Sequence, residues 1–231
     1  MTKSLIVCSL AIISLINFGD AQNYCNLNKC QGNSHTMCQY RSNNPSSKCG
    51  RVLSSGLSEN EKRTIVNVHN QLRQKVANGR EGRGLPGPQP AAKNMQNLQW
   101  DNELATIAQR WANQCDFNHD KCRDVERYSV GQNIAYVGTT GDVNTLKVES
   151  MVNNWYNEVK DYSKNSVSKF TSLKGPNGKD VGHYTQLVWA KTNRVGCGAM
   201  RYNDGRFNKF FLVCNYGPTG NYQGQPVYER R

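Results

Sequence analysis

Eight cysteines constrain this chain more than any other feature. Cys25, Cys30, Cys38, Cys49, Cys115, Cys122, Cys197 and Cys214 follow the opening segment, and a ninth, Cys8, lies within it. That segment begins Met1-Thr2-Lys3, runs apolar from Leu5 to Phe18 and ends in small residues at Gly19-Asp20-Ala21, the pattern of a secretory signal peptide over 1–21. The apolar run falls short of the roughly 20 residues that cross a bilayer, and no later stretch reaches that length. A secreted, extracellular protein is therefore expected. An even cysteine count in an oxidising compartment predicts disulfides rather than thiolate zinc ligands, and no two of the eight are spaced as in a zinc knuckle.

Four of these cysteines fall within 22–56, a polar stretch rich in Asn and Ser that cannot build a core of its own. It reads as a cysteine-rich extension that must be stapled to a domain over 57–231. The net charge of +12 implies affinity for acidic surfaces such as membranes or glycans. Its bases are dispersed, without long Lys/Arg runs or regular aromatic interleaving, so no nucleic-acid partner is expected. Asn44-Pro45-Ser46 fails as a glycosylation sequon because proline occupies its middle position.

Within the domain, Ser58 and Glu61 form a capping box ahead of Ile65, Val68, Leu72 and Val76, which predicts a helix ending at about Asn78 before Gly79. His69 lies one residue round from that apolar stripe and reads as a hydrogen-bonded helix residue at the domain edge. A Gly/Pro-rich loop occupies 79–92. Asp101 caps a second helix with Leu104, Ile107, Ala108 and Trp111 in helical period, delivering Cys115 at its end. Gly131 to Val137 reads as a strand. Asp142 caps a third helix carrying Val148, Met151, Val152, Trp155, Tyr156 and Val159, with Glu158 in its last turns. Alternation in Gly182-His183-Tyr184-Thr185-Gln186-Leu187-Val188-Trp189-Ala190 predicts a half-buried strand opening on His183. Segments 195–202 and 207–216 flank an Asp204-Gly205 turn that would set Cys197 against Cys214. These elements make an α+β domain, layered helix, sheet, helix.

Four polar residues are candidates for one site: His119, Gln132, Glu158 and His183. Two long motifs support their convergence. Gly182-His183-Tyr184-Thr185-Gln186-Leu187-Val188-Trp189 and Phe211-Leu212-Val213-Cys214-Asn215-Tyr216-Gly217-Pro218-Thr219-Gly220-Asn221 resemble the signatures of the CAP superfamily of cysteine-rich secretory, antigen 5 and pathogenesis-related proteins. With His69-Asn70-Gln71-Leu72-Arg73-Gln74 and Trp111-Ala112-Asn113-Gln114-Cys115, the chain is similar to the insect venom allergen 5 and venom allergen 3 proteins.

That resemblance implies a three-layer α-β-α sandwich with a disulfide-stapled N-terminal extension. It also implies the bridges Cys25–Cys38, Cys30–Cys122, Cys49–Cys115 and Cys197–Cys214, one of the roughly 105 pairings that eight cysteines allow. The family's cavity holds two histidines and two glutamates. His119, His183 and Glu158 match three of these, and Gln132 replaces the fourth. A divalent cation such as zinc is implied on His119 and His183, weakened by the lost carboxylate; no cofactor is required.

The function implied is that of a venom or salivary binding protein and allergen, monomeric, facing a host protein or membrane surface of unknown identity. A carrier of a small lipid, sterol or fatty acid, is one alternative, and a metal-assisted hydrolase another. The hydrolase reading has no Gly-x-Ser-x-Gly elbow, no His-Glu-x-x-His helix and no serine placed beside either histidine, so no catalytic residue is assigned.

Overall fold

A computed structural model describes residues 24–231. The expected signal segment, with Cys8, lies outside these residues. Five strands form one sheet: β1 Arg51–Ser55, β2 Gln99–Trp100, β3 Gly131–Thr139, β4 Arg194–Asn203 and β5 Asn208–Gly217. The order β1-β4-β5-β3 is antiparallel throughout, while β2 pairs in parallel with β4 at Gln99↔Arg194 and Trp100↔Val195. The β4–β5 hairpin turns at Gly205, whose φ of +98° favours a residue without Cβ. Its register places Cys197 directly opposite Cys214, and the two are bonded.

Alternation along the hairpin divides the core between two faces. Val195, Cys197, Ala199, Phe210, Leu212 and Tyr216 point to one side, where α2 (Glu59–Ala77), α4 (Val148–Tyr156) and α5 (Gly182–Leu187) cover them. Met200, Tyr202, Phe211 and Val213 point to the other, against Ala108, Trp111 and Ala112 of α3 (Asn102–Ala112). Glycines set the distance on that side: a Cβ at Gly196 or Gly198 would collide with the α3 backbone at Ala105 or Gln109. The result is a three-layer α-β-α sandwich.

Local signals explain the long helices. Ser58 and Glu61 make the reciprocal capping box of α2, with Ser58 Oγ accepting from Glu61 N at 3.2 Å and Glu61 Oε2 accepting from Ser58 N at 2.8 Å. Asp101 accepts from Leu104 N at 3.0 Å to start α3.

The extension docks on the far end of α3. Its one short helix, α1 (Thr36–Gln39), lies near Cys122, with Thr36 N donating to Cys122 O at 2.9 Å. Asn113 bonds the extension three times, accepting from Ser46 N at 2.8 Å and from the Ser55 hydroxyl at 3.3 Å and donating to Asn43 O at 2.7 Å. Disulfides Cys25–Cys38, Cys30–Cys122 and Cys49–Cys115 close around it. These, with Cys197–Cys214, are the pairs that the resemblance implied.

Four expectations need correction. Residues 182–187 are helix, not strand: Tyr184, Thr185, Gln186 and Leu187 are all buried, so alternation there carried no information about an exposed face. The helix expected from Asp142 is broken; Asp142 caps only a 3-10 turn at Val143–Thr145, α4 begins at Val148, and Glu158 lies in a further 3-10 turn, Asn157–Asp161. His69 is wholly buried rather than at an edge, bonded to Ile65 O and to the Tyr216 hydroxyl. Finally, the last residues of the extension, Arg51–Ser55, join the sheet as β1.

Candidate functional site

The site is built from two hydrogen-bonded pairs. His119, in the loop between α3 and β3, donates from Nδ1 to Gln132 Oε1 at 2.7 Å. His183, in the first turn of α5, donates from Nδ1 to Glu158 Oε1 at 2.6 Å. The other Glu158 oxygen accepts the backbone N–H groups of His183 and Tyr184 at 3.0 and 3.1 Å, so one carboxylate starts α5 and orients the imidazole it carries. Trp155 stacks on His183 with ring centres 6.2 Å apart, and its indole N–H is tied to Ile134 O at 3.2 Å.

Proton positions follow from which partners can only accept. Gln132 Nε2 donates to Asp120 Oδ1 at 3.0 Å, and a carboxylate can only accept, so the Gln132 carbonyl must face His119. The same reasoning at Glu158 places the His183 proton on Nδ1. Both imidazoles therefore spend Nδ1 on their partners, and no side chain among the described residues bonds either Nε2.

Asp120 was not singled out from the sequence. It is almost fully buried, ion-paired to Arg123 Nε at 2.5 Å and accepting the hydroxyl of Thr36 from the extension. Nothing but its position next to His119 could have marked it. Asn215 also accepts from Gln132 Nε2, at 3.1 Å. Asn133, beside Gln132 on β3, donates to His183 O at 3.1 Å and to the Tyr216 hydroxyl at 3.3 Å. Through Tyr216 the network reaches His69, at 2.8 Å.

His119 opens to solvent on one side, yet desolvation by the surrounding loop holds its imidazole below the ordinary histidine range. Arg123 and His183 push in the same direction by repelling a proton, against the hydrogen bond to Gln132. Asn133, adjacent to Gln132 on β3 and bonded to His183 O, links the two pairs. Neutral imidazoles whose Nδ1 is held by an amide or carboxylate are suited to accept hydrogen bonds or to ligate a cation through Nε2. No group of three or more His, Cys, Asp or Glu side chains arranged to hold a metal occurs among the described residues. Any cation would thus rest on two imidazoles and water.

Comparisons with known proteins agree on the frame. The model of the cysteine-rich secretory protein family, CAP, matches residues 66–216. A venom allergen 3 homolog of Dinoponera quadriceps is 54% identical over 211 residues, covering 90% of each chain. Venom allergen 5 of Polistes dominula is 47% identical over 235 residues and covers both chains completely. Among solved structures, the crystal structure of NaASP2 with Zn2+ superposes with a TM-score of 0.65 at 32% identity, covering 76% of this chain and 88% of its own.

Proposed function

The chain belongs to the cysteine-rich secretory protein family, CAP, and from that premise we propose that it is a secreted venom protein of the antigen 5 type that acts by binding rather than by catalysis. Its curated relatives are venom allergens over nearly their whole length. One observation carries the non-enzymatic part: each histidine is committed to Gln132 or Glu158, and neither bonds a Ser, Thr or Cys side chain. A nucleophile needs a base within hydrogen-bond reach, and all eight cysteines that could supply a thiolate are bridged. No helix among the described residues is long and apolar enough to cross a membrane. The partner is a host protein or membrane surface that meets the basic exterior.

A weakly held divalent cation is the second reading, favoured by the two free Nε2 atoms. His119 and His183 would hold it, and it would supply a positive centre for an anionic partner group. Calorimetric titration of metal-free, oxidised protein with Zn²⁺ tests this. Weak heat is expected from the wild type and none from His183→Ala.

Gln132→Glu is expected to tighten zinc by about tenfold, an energy of about 1.4 kcal/mol. The same substitution sets a carboxylate against Asp120 and removes two donors, so the metal-free variant should unfold at lower denaturant concentration. Absence of heat from both the wild type and Gln132→Glu would make the cluster a hydrogen-bonding support only. The binding function itself is tested separately, by incubating the protein with peptide and ester substrates: cleavage that disappears in His183→Ala would overturn it.

A further inference from the structure

Along the first turns of α2, two hollows share a wall. One, of about 480 Å³, lies between the exposed face of the helix at Arg63, Val66 and Asn67 and the indole of Trp100. The other, of about 520 Å³, continues past Thr106 and Gln109 on α3 to Asn113 at its end. Lys62 and Asn102 belong to both, so the two make one continuous groove of a size that takes several sugar rings or a comparable chain. It shares no residue with the histidine site.

Polar groups interrupt an apolar lining of Trp100, Val66, Leu57 and Ala105. Asn67 and the amino group of Asn102 face it without a partner among the described residues, whereas the amides of Gln109 and Asn113 are taken up by Ser55, Ala199 and Asn43. Trp100 is partly exposed, whereas Trp111, Trp155 and Trp189 are buried, and its indole N–H is fixed to Asn102 Oδ1 at 3.1 Å. That bond leaves an aromatic surface beside polar groups, the pairing that stacks on the C–H face of a pyranose while neighbouring amides bond its hydroxyls.

Two cations flank the indole. Lys62 Nζ is 5.9 Å from its ring centre and also pairs with Glu59 at 2.7 Å. Arg63 is exposed and makes no side-chain hydrogen bond or ion pair with any described residue. A free guanidinium presents a planar fork that suits a tetrahedral or carboxylate oxyanion. The chain's net charge of +12 would draw a polyanion toward it.

We propose that this groove binds a sulfated glycan chain, with Trp100 as the stacking platform, the carboxamides of Asn67 and Asn102 as the hydroxyl partners, and Arg63 with Lys62 as the sulfate contacts. The proposal goes beyond the antigen 5 reading and stands whether or not the histidines hold a cation.

The test is calorimetry of the full oxidised protein with a heparin-derived octasaccharide at physiological salt, alongside tryptophan fluorescence. Saturable one-to-one binding is expected, with an emission change that Trp100→Phe abolishes. Arg63→Gln and Asn102→Ala should each weaken binding by about tenfold or more, since each removes one polar contact of roughly 1.4 kcal/mol. Lys174→Gln, at an exposed lysine outside the groove, should leave it unchanged. The same octasaccharide stripped of sulfate should bind at least about tenfold more weakly.

Equal affinity across all four variants would reduce the interaction to bulk charge and overturn the proposal. So would absence of binding, or equal binding of the desulfated chain. Arg63 and Asn102 are exposed, and circular dichroism of each variant checks that the fold is kept.

Discussion

Arg73→Met is expected to remove about 3–5 kcal/mol from the unfolding free energy of the oxidised protein. The Arg73 side chain is completely buried and has no carboxylate partner. Four backbone carbonyls hold it instead: Nε donates to Gln96 O at 2.8 Å, Nη1 to Leu187 O and Trp189 O at 2.9 Å each, and Nη2 to Thr192 O at 3.0 Å. Burial lowers its pKa to about 9, which still leaves it charged at neutral pH.

One guanidinium thus fastens the middle of α2 to the loop before β2 and to the turn that leads from α5 into β4. Methionine would fill much of the volume but donate nothing, stranding acceptors that water cannot easily reach. Arg73→Lys should fall between the two, because an ammonium offers three donors from a single point rather than a planar fork. Denaturant unfolding of the three proteins measures this, and a methionine variant within about 1 kcal/mol of wild type would refute it.

Acidification should destabilise the protein through His69 well before its carboxylates titrate. Burial holds the His69 imidazole at about 4, with Arg73 adding repulsion, against the hydrogen bond to Ile65 O. Nδ1 donates to that carbonyl, so Nε2 must accept the Tyr216 hydroxyl proton, and a second proton on the ring would face a donor.

The unfolded chain binds that proton near pH 6.5 and the native chain only near pH 4. Stability is therefore full above 6.5, falls as pH drops through that value, and levels off below 4. The loss between pH 7 and pH 5 is about 2 kcal/mol from this residue. His35, also buried and lowered by desolvation, acts in the same direction. Urea midpoints at pH 7 and pH 5 for wild type and His69→Gln separate the contributions. The variant should start lower and slope less, and parallel slopes would show that His69 does not titrate as argued.

Much of this architecture was legible because local chemistry and tertiary structure agree. The capping box at Ser58, the cap at Asp101 and the Asp204-Gly205 turn each satisfy backbone groups in ways that need only neighbouring residues. Elements that depend on distant partners were not legible. Residues 182–187 alternate like a strand, but Glu158 accepts two of their N–H groups and Tyr184 to Leu187 are all buried, so the helix wins. β1 is exposed at all five positions and carries no pattern; it exists because β4 offers an edge.

At the site, His119, Gln132, Glu158 and His183 could be named from motifs, and the structure brings them together as two pairs. Their supports, Asp120, Asn133 and Tyr216, are ordinary polar residues whose role is defined only by the side chains they meet.

The cross-links also decide how the molecule comes apart when cut. The 79–92 loop, exposed at Gly82, Leu85 and Pro86, lies inside the spans of both Cys30–Cys122 and Cys49–Cys115. A protease that nicks it leaves one covalent body. The exposed 171–180 loop lies between Cys122 and Cys197, within no bridge, so a cut there leaves two pieces joined only by packing. Cuts in the two loops thus have opposite consequences for the molecule's integrity, and for the first of them reduction, not cleavage, is the step that dismantles the protein.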